Sequence, residues 1–91
     1  MRLGDLRPGD VLRSGHDETA AILFATCPHP LYTGLTLFVW RMSSGPDRGS
    51  WSHDALSAQT EIDPANVRVP VDEDARKASI RKALHWNQGA P

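Results

Sequence analysis

Thr19-Ala-Ala-Ile-Leu-Phe-Ala-Thr-Cys27 and Leu35-Thr-Leu-Phe-Val-Trp-Arg-Met42, separated by a loop that carries Pro28, Pro30 and Gly34, decide the fold of this chain. Residues 19–40 hold no formally charged side chain, a span long enough to cross a bilayer as a helix. Prolines at 28 and 30 would open that helix near mid-membrane, where each unsatisfied backbone group costs several kcal/mol. Two soluble strands and a loop satisfy the same residues without that cost. In the first strand Ala21, Leu23, Ala25 and Cys27 oppose Ala20, Ile22, Phe24 and Thr26; in the second Leu35, Leu37, Val39 and Arg41 oppose Thr36, Phe38, Trp40 and Met42. A pair of strands apolar on both sides must be covered on both.

Working outward, Pro8-Gly9-Asp10 is a turn signal and residues 11–13 begin a short strand. Residues 14–18 form a polar turn, and Ser43-Ser-Gly-Pro-Asp-Arg-Gly-Ser50 has the composition of a hairpin loop. Trp51 starts a shorter strand, expected to bend into a helical turn at 54–57. Residues 60–63 and 66–69 are further short strands, punctuated by Pro64 and Pro70. Asp72, Glu73 and Asp74 then precede a run to about Trp86 with Arg76, Lys77, Arg81 and Lys82 along it, the charge order that a helix dipole favours. Ile80, Ala83 and Leu84 give that helix a narrow apolar stripe.

These elements predict a mostly β domain: a small bent antiparallel sheet or barrel over residues 1–70, with a C-terminal helix over 71–88 packed on it or extending from it. The Pro8-Gly9-Asp10-Val11-Leu12 opening, the two central strands and the polar hairpin tip resemble SH3-like small β-barrels over residues 6–69. The chain's brevity and its preference for arginine over lysine look like those of small phage or mobile-element proteins.

Length and charge bound the function. Ninety-one residues make one domain, with 40% hydrophobic and 23% charged side chains, a globular balance. A net charge of −1 excludes an evenly basic nucleic-acid clamp but leaves room for a local patch. One cysteine excludes an internal disulfide framework and a multi-cysteine zinc site. No metal, cofactor or catalytic set is expected. The N-terminal residues lack the apolar core of a signal peptide, so the expected compartment is the cytoplasm.

Trp40 and Trp51 are the most informative pair. If Met42 faces Trp51 across the hairpin, Trp40 faces His53, and all four side chains share one face with Phe38. Three covers satisfy that face: the terminal helix through Ile80, Leu84 and Trp86, a second copy of the chain, or a bound partner. The last makes the protein a non-enzymatic module that recognises a protein or peptide through Tyr32, Trp40 and Trp51, with Arg41, Arg48 and His53 orienting the ligand. A second function is nucleic-acid binding by Arg76, Lys77, Arg81 and Lys82 on the helix, together with the 43–50 loop. A third is a small ribonuclease, because toxin nucleases of similar barrel type share the Pro-Gly-Asp opening. Arg13, His16 and Arg48 would act in it, although the paired arginine-proline signature is missing.

Cys27 and His29 sit two apart on an extended chain and form the one thiol–imidazole combination. A lone cysteine ending an apolar strand is expected to be a buried small hydrophobe instead. Ser52-His53-Asp54 spells a triad, but consecutive residues of a strand point to opposite faces and do not relay a proton.

Overall fold

The computed structural model describes residues 1–15 and 18–86. Five strands form one antiparallel sheet: β1 (Val11–Arg13), β2 (Ala20–Pro28), β3 (Thr36–Ser44), β4 (Trp51–Leu56) and β5 (Val67–Arg68). Their spatial order is β4-β3-β2-β1-β5, and one helix, α1 (Glu73–Leu84), follows them. The two central apolar strands fall where their composition predicts. β4 runs extended through Leu56, so the helical turn expected at 54–57 is absent, and the strand expected at 60–63 shrinks to a single bridge between Arg2 and Glu61. No helix among the described residues is long and apolar enough to cross a membrane.

The sheet is open, which corrects the closed-barrel alternative. β4 and β5 are its two edges and do not pair with each other. The reason lies in the segment between them, which bonds to the N-terminus. Leu3 N–H donates to Thr60 O at 2.7 Å, Gly4 N–H to Ala58 O at 2.9 Å, and Ile62 N–H to Met1 O at 2.8 Å. With its polar groups satisfied there, this segment crosses one face of the sheet as a cover instead of extending an edge.

That inner face holds the core. Leu23, Phe38 and Trp40 meet Leu3 and Leu6 from the N-terminal segment, with Leu12, Ala21, Ile62 and Val67 packed around them. The Phe38 and Trp40 rings stack at 6.0 Å between centroids. The helix therefore does not cover the Trp40 face. It lies on the opposite, outer face, where Ile22 and Arg41 pair across β2 and β3. Ala83 is fully buried there, while Leu84, expected to face inward, is 49% exposed.

Polar side chains pin the helix at both ends. Near its start, Arg76 is 7% exposed and its Nη1 lies 3.0 Å from Asp10 Oδ1, itself a buried carboxylate. The same nitrogen donates to Pro8 O at 2.6 Å, and Ser79 Oγ donates to Gly9 O at 2.8 Å. Asp10 Oδ2 also accepts from Arg7 N–H at 2.8 Å, closing the Pro-Gly turn. Gly9 is required twice over: its φ is +96°, and a Cβ there would stand 2.9 Å from Arg76 Cγ. Near the helix end, Arg41 Nε donates to Ala83 O at 2.7 Å and Nη1 to Gly49 O at 2.8 Å, satisfying a last-turn carbonyl that the helix itself leaves open. Asp72 caps the N-terminus by accepting from Ala75 N–H at 2.8 Å, and the acidic first turn and basic last turn stand as the charge pattern predicts.

Candidate functional site

Two small irregularities decide which side chains reach the outer face. At the hairpin, Met42 N–H donates to Ser50 O and Met42 O accepts from Gly49 N–H, so two residues of one strand oppose one of the other. Gly49 has φ +87°, the left-handed conformation that such a bulge demands. Beyond it Arg41 pairs with Trp51, Trp40 with Ser52 and Val39 with His53. This is one residue away from the expected pairing of Met42 with Trp51. One step of slip exchanges faces. Trp40, 4% exposed, belongs to the core, and Trp51, 44% exposed, stands on the other side of the sheet. The shared Trp40–Trp51 face is thus corrected, and Trp40 is no ligand contact.

In β2 the register shifts between Leu23 and Ala25, leaving Phe24 without a partner across the ladder. Leu23 stays in the core, whereas Phe24 reaches Trp51, edge to face at 5.1 Å between centroids. Arg41, already bonded to Ala83 and Gly49, lays its guanidinium 3.7 Å from the Trp51 ring centroid. Trp51 is therefore held from below by a cation and from the side by a ring, with its remaining surface in solvent. Arg41 orients Trp51, with Nε and Nη1 engaged within the chain.

The helix covers this outer face only in part. Over β3 and β4 a shallow depression of 650 Å³ remains, bounded by Leu37, Val39, Trp51, His53, Ala55 and His29. β4 beside it is a sheet edge, exposed along nearly its whole length. By the alternation of an antiparallel ladder, one residue in two of an edge strand turns its N–H and C=O away from its neighbour.

The other sequence-derived residues are scattered. Tyr32 is 61% exposed in the β2–β3 loop, its ring 4.9 Å from that of His29 at the margin of the depression. Arg48 sits in the hairpin turn with its guanidinium 5.8 Å from the Trp86 ring, which Lys82 approaches to 5.7 Å. Trp86 thus meets cations and is not part of the core. In the helix set, Lys77, Arg81 and Lys82 are exposed, but Arg76 is buried against Asp10, which removes it from any phosphate-binding stripe. For the ribonuclease reading, Arg13 ends β1 and Arg48 lies in the β3–β4 turn, while His16 falls outside the described residues. Cys27 is exposed, contrary to the expected burial. His29 Nδ1 accepts from the N–H groups of Leu31 and Tyr32, each at 3.1 Å, and that nitrogen is engaged in the turn.

Leu37, Val39 and Phe24 were missed as site residues. Leu37 and Val39 were legible as one face of β3, but the face could not be chosen without the register, and nothing in the sequence marks Phe24 as a bulge. The two tryptophans make the arrangement testable. A chain retaining only Trp51 (Trp40→Phe, Trp86→Phe) is expected to be quenched by acrylamide in water, and one retaining only Trp40 to be protected. Equal quenching of both would contradict the observed register.

No known protein family, curated protein or solved structure matches this chain.

Proposed function

We propose that this chain is a non-catalytic binding module that takes an extended peptide of another protein beside Trp51. The observation that carries this reading is the half-covered outer face: an apolar depression and an exposed, braced tryptophan adjoin an unpaired sheet edge. A peptide adding to β4 would complete the edge through main-chain hydrogen bonds. Its alternate side chains would then drop into the depression between Leu37, Val39 and Trp51, with His53 and Tyr32 at the rim. Aromatic anchors of this kind carry most of the energy in small interfaces.

Selection of linear peptides from a random display library tests the proposal. Enriched peptides are expected to alternate apolar side chains. Trp51→Ala is expected to weaken them by about 2 kcal/mol, roughly thirtyfold in Kd. N-methylation of alternate peptide amides should abolish binding while methylation of the intervening ones should not. Peptides that bind Trp51→Ala as well as the parent chain would overturn this assignment.

A further inference from the structure

The outer face has a second opening. A groove of 820 Å³ lies between α1 and the β2-β1-β5 side of the sheet, with Ser43 of β3 in its lining. Its floor is formed by Val11 and Ile22, paired across β1 and β2, and its helix wall by Ala75 and Ala78. The opposite wall is the chain after β5, where Val69 is 53% and Val71 91% exposed. Apolar surface is therefore left in water mainly at the rim, on Val69 and Val71, and in part on Val11, while Ile22 beneath them is buried.

The charges around it share one sign. Arg13, Arg68 and Lys82 line the groove, and among the described residues no carboxylate does. Among the described residues, the ion pairs engage the N-terminus, Arg2, Arg7 and Arg76, and none engages these three cations. In a chain whose net charge is −1, three cations around one trough with no ion pair among the described residues are a local concentration of positive charge.

We propose that this groove binds an acidic, apolar peptide segment of a partner protein, with its apolar side chains against Val11, Val69 and Val71 and its carboxylates against Arg13, Arg68 and Lys82. Charge complementarity names the sign of the ligand, and the exposed valines at the rim name its class. A nucleic acid fits less well, because no aromatic ring among the described residues lines the groove to stack a base and a phosphodiester leaves Val69 and Val71 uncovered. The groove is separate from the Trp51 depression and does not depend on it.

The probe is a fluorescein-labelled peptide of alternating leucine and glutamate, followed by anisotropy against the full chain. Binding is expected to weaken with added salt and to fall about tenfold or more in Arg13→Glu/Arg68→Glu, since reversing two contacting charges costs upward of about 1.4 kcal/mol. Ala78→Trp, at an exposed helix position, fills the groove without altering charge and should lower binding as well; circular dichroism verifies that both variants are folded. Trp51→Ala should leave this binding unchanged, which separates it from the site on β4. Absence of binding by the leucine–glutamate probe overturns the proposal. So does equal binding of a leucine–lysine peptide, equal competition by mixed-sequence single-stranded DNA, or a loss caused by Trp51→Ala and not by the groove variants.

Discussion

Arg76→Met is expected to destabilise the fold by about 3–5 kcal/mol, a large share of what a small domain has in total. The guanidinium is buried, and its removal strands Asp10, whose carboxylate lies 3.0 Å away and is as deeply enclosed. It also strips Pro8 O of its 2.6 Å donor. The cost is that of an uncompensated buried charge, not of a lost attraction. Asp10→Asn/Arg76→Met should therefore recover much of the stability: the charge is gone, and the amide oxygen still accepts from Arg7 N–H as Asp10 does. Lys77→Ala, one residue further along the helix and exposed, is expected to change stability by no more than about 0.5 kcal/mol. Urea titrations of the four chains provide the measurement. A loss below about 1 kcal/mol in Arg76→Met would show that the helix is held without the Arg76–Asp10 pair.

This ion pair also shows why the helix's role was not legible in the sequence. Arg76, Lys77, Arg81 and Lys82 read as one basic stripe, and nothing in their spacing distinguishes the member that turns inward. The distinction is tertiary: Asp10, sixty-six positions earlier, lies where only one of the four can reach it. Apolar periodicity pointed to Ile80, Ala83 and Leu84 as the contact face; Ala83 is buried there and Leu84 is not. The helix also docks through Arg76 and Ser79 onto backbone carbonyls and a carboxylate, with Ala83 O accepting from Arg41. The helix itself was legible, because an Asp72 cap, acids in the first turn and bases in the last are local signals that need no partner to be read.

The strands divide in the same way. Residues 19–42 announce two apolar strands by composition alone, and both formed. The face each side chain takes depends on bulges, which occupy single residues and interrupt a period of two without changing composition. Gly49 carried a hint, since a glycine closing a Ser-Gly-Pro-Asp-Arg-Gly loop favours left-handed backbone. Phe24 carried none. The inner cover was equally silent: Leu3 and Leu6 are two leucines in a short polar segment, and only the hydrogen bonds to Ala58 and Thr60 bring them over Phe38 and Trp40. Closure was lost to the segment between β4 and β5, which bonds to the N-terminus and leaves only the two residues of β5 as an edge.

The single-residue register is also the source of the sharpest contrast between two variants of identical chemistry. Trp40→Ala is expected to cost about 3–5 kcal/mol, because it empties a site in the core stacked on Phe38 and covered by Leu3 and Leu6. Trp51→Ala loses one ring contact to Phe24 and one cation contact to Arg41 on a side chain already 44% exposed, about 1–2 kcal/mol together. Stability and binding should then separate cleanly. Conservative Trp40→Phe should restore much of the lost stability and leave peptide binding intact, whereas Trp51→Phe should be nearly neutral for stability and still weaken the ligand. Thermal and urea unfolding, measured beside peptide affinity, read both quantities on the same samples. If the two alanine variants lost stability equally, both rings would have to share the core face. The pairing would then be Met42 with Trp51, β4 would be turned over, and the depression around Leu37 and Val39 would lose its aromatic wall.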